Sequence, residues 1–163
     1  MKIGSLCSGY GGLDMGLQSA LGGEVVWHCE YDKNASKILK VNHPNITNYG
    51  DITKLNWEEL ETVDWLTAGY PCQPFSQAGK RRGTNDPQHI WPYIAKGISI
   101  LRPTNILLEN VRGHLNLGFD EVLKELSQMG YSIRWGLIRA ADIGAPHRRA
   151  RLCLLYTSPS PRD

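Results

Sequence analysis

Cys72, Glu109, Arg149 and Arg151 are the residues of this chain whose settings suit them to covalent and acid–base chemistry. Cys72 stands between two prolines in Gly69-Tyr70-Pro71-Cys72-Gln73-Pro74-Phe75-Ser76, just past the apolar run Asp64–Ala68. The prolines restrict the backbone on either side, so a thiolate there would be aimed in one direction, as a nucleophile must be. A free cysteine is more often a small buried apolar residue. The glycine, prolines, glutamines and serine around this one make the segment a loop rather than core. Glu109 follows Ile106-Leu107-Leu108, and an apolar setting raises a carboxyl pKa towards values that suit proton donation. Arg149 and Arg151 alternate by two, so on an extended segment both point to one face; a solvated basic run is the other reading.

A second set of residues could hold a ligand. The turn Gly9-Tyr10-Gly11-Gly12 lies between a strand-like run and a helix-like stretch, where backbone N–H groups at a helix N-terminus suit a nucleotide or a carboxylate-bearing cofactor. Its spacing is G-x-G-G, which does not meet the G-x-G-x-x-G dinucleotide fingerprint. Glu30 closes the second strand, where an acid would accept hydrogen bonds from ribose hydroxyls. Asp51, in Gly50-Asp51-Ile52-Thr53, sits near the end of a third short strand; alone, it reads equally well as a turn cap. Taken together, three such features at three successive strand ends point to one nucleoside-like ligand across the sheet edge.

The elements that must position these groups alternate. Strands are expected over Lys2–Leu6, Glu24–Cys29, Asp64–Ala68 and Asn105–Leu108, with Tyr131–Ile138 as the final one. Helices are expected from Leu13 to about Leu21, over Lys33–Asn42, over Trp91–Leu101 and over Phe119–Met129. The third carries Trp91, Ile94, Ala95, Ile98 and Leu101 on one stripe, and the fourth stops at Gly130. Strands separated by helix-length crossovers argue for an open, mostly parallel α/β sheet. The segment 69–90 is a long loop, and loops of that length are usually functional or disordered.

Composition narrows the setting. The chain has 163 residues, 41% hydrophobic and 21% charged, which excludes wholesale disorder and fits one domain. No apolar run approaches the ~20 residues that span a bilayer, and Met1-Lys2-Ile3-Gly4 lacks a signal-peptide core. Net charge is only +2, too small to reveal a nucleic-acid or membrane field by itself. The four cysteines (Cys7, Cys29, Cys72, Cys153) show neither C-x-x-C nor a zinc spacing, so no metal is expected. Reduced thiols and a cytoplasmic location are the expectation.

Pro71-Cys72-Gln73-Pro74-Phe75-Ser76 resembles the nucleophile motif of the DNA (cytosine-5) methyltransferases, and other segments agree in content and order. Cys7-Ser8-Gly9-Tyr10-Gly11-Gly12-Leu13 is similar to the family's first cofactor motif, and Cys29-Glu30-Tyr31-Asp32 to its ribose-binding acid followed by an aromatic. Gly50-Asp51-Ile52 resembles the element that contacts the adenine, and Ile90-Trp91-Pro92-Tyr93-Ile94 the helix opening beside the cofactor. Leu108-Glu109-Asn110-Val111 is similar to the Glu-Asn-Val motif. Gly144-Ala145-Pro146-His147-Arg148-Arg149-Ala150-Arg151-Leu152 is similar to the Q-x-R-x-R motif. Two departures stand out: Cys7 where the family usually has Phe, and His147 where it usually has Gln.

The resemblance implies a Rossmann-like methyltransferase sheet, mostly parallel, with helices on both faces and incomplete at its C-terminal end. It implies S-adenosylmethionine as methyl donor, with Gly9, Tyr10, Gly11, Gly12, Glu30, Tyr31, Asp51, Ile52 and Ile90 at the cofactor. Cys72 would add to C6 of a cytosine flipped out of double-stranded DNA. Glu109 would hold the N3 edge, and Arg149 and Arg151 would hold O2 and tighten the cysteine loop. Lys80, Arg81 and Arg82 could grip phosphates, or be solvated surface charge. A monomer is expected, with no membrane and with a cognate restriction endonuclease as a functional partner only. The related transfer-RNA methylating branch and an inactive cofactor-binding fragment remain the alternatives. The family pattern covers 1–152; the run Cys153 to Asp163 reads as a translated sequencing adapter and is expected to be a non-native tail outside the fold.

Overall fold

The computed structural model describes residues 1–71, 90–116 and 118–158. Its strands are β1 (Lys2–Leu6), β2 (Glu24–Cys29), β3 (Thr47–Asn48), β4 (Trp65–Ala68), β5 (Asn105–Val111), β6 (Ser132–Arg139) and β7 (Ala150–Thr157). The helices are α1 (Gly12–Leu21), α2 (Lys33–Asn42), α3 (Trp91–Leu101) and α4 (Phe119–Gln128). All seven strands form one sheet in the order β3-β2-β1-β4-β5-β7-β6. Pairs are parallel from β3 through β5, while β7 runs antiparallel to both of its neighbours.

The sequence explains the helix boundaries. The Asp32 carboxylate caps α2 by accepting from the Asn34 and Ala35 N–H groups at 2.9 and 2.8 Å. Pro92 occupies the first turn of α3, where a missing N–H costs nothing. The apolar stripe of α3 then buries Trp91, Ile94, Ile98 and Leu101 against Leu66, Ile106 and Leu108 of the sheet. Phe119, Val122 and Leu126 of α4 join the same core. On the opposite face a smaller cluster gathers Ile3, Leu17 of α1, Val25 and Trp65. Helices thus cover both faces, and the order of winding reverses between β1 and β4, the place where open α/β sheets bind ligands.

Two expectations change. Tyr131–Ile138 is not the final strand, and part of the segment set aside from the fold belongs to it. Cys153–Thr157 forms the second half of β7, paired with β5 on one side and β6 on the other. The reason is alternation: Leu152, Leu154 and Tyr156 all point into the core and are fully buried. The fit is imperfect, because the buried Tyr156 hydroxyl finds no hydrogen-bond partner among the described residues. Residues 159–163 lie outside the described residues.

Beneath the glycine turn lies a buried polar group of a different kind. Ser5 Oγ and Thr67 Oγ1 donate to the two oxygens of Asp14 at 2.6 and 2.5 Å, tying α1 to β1 and β4. On β2, His28 is 1% exposed, its Nε2 has no partner among the described residues, and its ring lies 5.3 Å from that of His43. Burial, and secondly the charge of His43, lower His28 to about 4. In the unfolded chain the same imidazole titrates near ~6.5. Its contribution is therefore intact above that value and is lost as pH falls towards 4. Asp14 works the other way: burial raises its carboxyl, so acidification relieves a cost there. Urea unfolding at about pH 7 and about pH 4.5 is expected to show a net loss of ~2 kcal/mol on the His28 account. In His28→Gln this acid sensitivity should largely vanish; an unchanged slope would show that another group carries it.

Candidate active site

β1 ends in a backbone that few side chains adopt. Cys7 has φ 50° and donates its N–H to the Cys29 carbonyl at 2.8 Å, so the chain turns sharply off the strand. Gly9 (φ 57°) and Gly11 (φ 87°) complete the turn into α1, in conformations that glycine adopts without strain. Glu30, just past β2, clamps this turn. One of its oxygens accepts from the Gly9 N–H at 2.7 Å and the other from the Asp32 N–H at 2.7 Å. Asn48 fixes Glu30 in turn, accepting from its N–H at 2.9 Å and donating to its carbonyl at 3.1 Å. Each carboxylate oxygen keeps a further acceptor site, which is what a ribose diol needs.

These strand ends border a cavity of about 680 Å³. Of the residues expected there, Gly9, Glu30, Tyr31, Asp51, Ile52 and Ile90 line it. Tyr10, Gly11 and Gly12 do not. The Tyr10 ring lies exposed over Gly12, where a methyl group would stand 2.9 Å from it. Gly11 faces Leu39 and His43 instead. Asp51 satisfies both of its readings. It caps the turn Ile52–Lys54 by accepting from the Thr53 N–H and hydroxyl at 3.0 and 2.8 Å, and it borders the cavity as well. Those two bonds hold its carboxyl below the usual carboxylate range.

Sequence reasoning did not place Cys29, Asp32, Ala35, Thr53, Gly69 or Pro71 at the cavity, although all line it. For Cys29, Gly69 and Pro71 the signal was position, at or just past the carboxyl end of a strand, whereas Ala35 and Thr53 lie inside helical turns and carried none. Cys7 lines it too, with a side chain much smaller than the aromatic usual there. Burial pushes the Cys29 thiol up to about 12 and Cys7 further still, so both stay protonated and act as apolar lining.

Glu109 and Arg151 stand one strand further along. Glu109 near the end of β5 makes an ion pair with Arg151 of β7, Oε1 to Nε 2.6 Å. Burial raises the Glu109 carboxyl, while Arg151 and Arg149 pull it down, and burial prevails. The two side chains are 29% and 27% exposed, so the pair is open to a ligand from one side. A methyl group on Gly69 would stand 3.7 Å from Glu109 Oε2, so the cavity wall and the carboxylate are neighbours. Arg149 precedes β7, and its carbonyl accepts from the Ala140 N–H at 2.9 Å. Pro71 at the cavity rim leads into Cys72, which with Lys80, Arg81 and Arg82 lies outside the described residues. Among the described residues no group of three His, Cys, Asp or Glu could hold a metal, and no helix is long and apolar enough to cross a membrane.

A family model described as C-5 cytosine-specific DNA methylase matches residues 1–160. The type II methyltransferase M.DsaV of Dactylococcopsis salina is 34% identical over 162 residues, covering 95% of this chain and 45% of that protein. M.NlaX of Neisseria lactamica is 35% identical over 160 residues, covering 94% and 51%. Among solved structures, a DNMT2 mutant of Spodoptera frugiperda superposes with a TM-score of 0.80 at 27% identity, covering 99% of this chain and 53% of that one. The Dnmt2 methyltransferase of S. pombe gives 0.81 at 24% identity, covering 100% and 52%, a likeness of fold. The chain spans about half the length of the curated relatives it matches.

Proposed function

The chain belongs to the C-5 cytosine-specific DNA methylase family, and on that premise we propose that it carries the cofactor-binding and nucleophile-bearing part of an enzyme that methylates C5 of cytosine in double-stranded DNA. The observation that supports this best is the juxtaposition of the Glu30-lined cavity with the Glu109–Arg151 pair across the single wall at Gly69. Family description favours DNA over transfer RNA as substrate. A cognate type II restriction endonuclease fits as a functional partner, in line with the relatives' names. The reading takes residues 1–152 as the functional part. The family match runs on to residue 160, and Cys153–Thr157 completes β7.

The residues present suit S-adenosylmethionine. Glu30 offers acceptors to a ribose diol, Cys7, Cys29 and Ile52 offer an apolar lining to a purine, and the volume suffices for a nucleoside with its side chain. When bound, that cofactor supplies an electrophilic methyl group. Cys72 as thiolate adds to C6 of the flipped cytosine, a bond that breaks ring conjugation and makes C5 nucleophilic. The protonated Glu109 carboxyl hydrogen-bonds N3 and the exocyclic amine edge, neutralising charge as it builds on the ring. Arg149 and Arg151 hold O2 and keep Glu109 oriented. After C5 gains its methyl group it loses its proton, the Cys72–C6 bond breaks, and the thiolate is restored.

Calorimetry of the 163-residue chain with S-adenosylmethionine tests the cofactor half of this reading. Weak binding is expected, and Glu30→Ala should reduce it ~10–100-fold, the scale of losing hydrogen bonds to a charged acceptor. Equal affinity in the two chains would remove Glu30, and with it the cavity, from the cofactor site.

A further inference from the structure

Tyr70 is unused by the chemistry above, yet it sits between two residues of the cavity wall, Gly69 and Pro71. Its side chain turns the other way, into the core, where it is 4% exposed. There its hydroxyl shares a hydrogen bond of 2.7 Å with Nε2 of His114, a residue wholly buried in the turn Arg112–Asn116 that directly follows β5. The rings meet edge to face at 5.6 Å. Trp91 stands 6.0 Å from the Tyr70 ring and donates its own N–H to Glu125 at 2.9 Å, while Phe119 lies edge-on to His114 at 6.2 Å. Burial pushes the Tyr70 hydroxyl well above the ordinary tyrosine range against the smaller opposing pull of Asn110, whose Nδ2 completes no hydrogen bond among the described residues. A hydroxyl and an imidazole nitrogen buried so deeply need each other, because an unmade bond there costs their full desolvation.

That bond joins the two segments that must face one another. Tyr70 follows β4 and continues towards Cys72; His114 follows the Glu109-Asn110-Val111 end of β5. Gly69 abuts both Glu109 Oε2 and the Cys7 carbonyl. We propose that Tyr70 and His114 are positioning residues: their buried hydrogen bond holds the Gly69–Pro71 wall against the Glu109 carboxylate and so sets the surroundings in which Glu109 meets the base. The inference rests on the role given to Glu109 above. Arg151, Arg149 and Cys153 face this carboxylate from other elements, and the Tyr70 hydroxyl lies close enough to feel its charge.

The experiment is a titration of the Glu109 carboxyl by carbon-13 NMR in the 163-residue chain, with thermal unfolding recorded for each variant. In Tyr70→Phe and His114→Phe the wall loosens and water reaches the carboxylate. Its ratio of acid to base at fixed pH should then change at least ~3-fold towards that of an ordinary glutamate. His114→Gln keeps a hydrogen-bonding group where Nε2 stood and should leave the ratio within ~2-fold of the original. The pair Tyr70→Phe with His114→Phe supplies two packed aromatic rings with no polar atom, so it retains the fold, and Glu109 should move towards an ordinary glutamate in it as in the single variants. An unchanged Glu109 titration in Tyr70→Phe overturns the proposal. An equal shift in His114→Gln does so too, by assigning the effect to imidazole packing. Affinity for S-adenosylhomocysteine, measured on the same samples, reports separately: a chain that does not bind it while Glu109 still responds keeps the positioning role and loses the proposed function.

Discussion

Glu109→Gln is expected to lower methyl transfer ~10²–10⁴-fold in a protein that joins this segment to the downstream half its relatives possess, the usual scale for losing a positioned general acid. The change keeps the shape and one hydrogen-bond acceptor but removes the acidic proton. Burial raises the Glu109 carboxyl against the opposing pull of Arg151 and Arg149, so its protonated form extends to higher pH than an ordinary glutamate allows. The acid form is present below the raised value and is lost as pH rises through it, so the wild-type rate should fall on that limb. In Glu109→Gln the limb should disappear. Cofactor affinity should change little, because Glu109 stands behind Gly69 and does not line the cavity. If affinity collapsed while the rate survived, Glu109 would belong to the cofactor site. Arg151→Leu serves as a companion. It removes a group that lowers the Glu109 carboxyl, so the same limb should move to higher pH.

Much of the scaffold was legible because apolar spacing carries it. β1, β2, α2 and α3 fall where alternation and helical stripes put them, since each buries a face that the sequence spells out locally. The third short strand expected ahead of Asp51 is β3, only two residues long, and Asn48, bonded to both backbone groups of Glu30, shows what it holds. β7 went unrecognised because its second half was set aside as foreign, yet Leu154 and Tyr156 satisfy the only requirement a central strand imposes, apolar groups on the buried face.

The candidate site was legible at the level of strand ends and less so at single atoms. A glycine turn announces a tight backbone near a ligand; it does not say which residues face inward, and so Tyr10, Gly11 and Gly12 were expected at a cavity that Gly9 and Cys7 border. Glu30 was assigned to a ligand, and the structure adds a second task, since both its oxygens already hold backbone N–H groups. Buried polar pairs were not readable. Tyr70 and His114 are separated by 44 residues, as Thr67 is from Asp14 by 53, and no local periodicity links such partners.

Cys72→Ser should abolish covalent capture of duplex DNA that carries 5-fluorocytosine, tested in the same completed protein. Gly69 and Pro71 line the cavity and Tyr70 is anchored in the core, so Pro71 leads towards Cys72 from the wall between that cavity and Glu109. A nucleophile there needs to be ionised, and a thiol reaches that state far more readily than a serine hydroxyl. Burial raises the thiols of Cys7, Cys29 and Cys153, which makes each a poorer nucleophile than a thiol of ordinary acidity. Fluorine at C5 cannot leave as a proton does, so elimination stops and the Cys72–C6 bond persists after methylation. The protein should therefore run as a cofactor-dependent adduct resistant to denaturation, and Cys72→Ser should show none of it while still binding S-adenosylmethionine. A full-strength adduct in Cys72→Ser would move the nucleophile to another residue, and capture without cofactor dependence would separate the thiol's reactivity from methyl transfer.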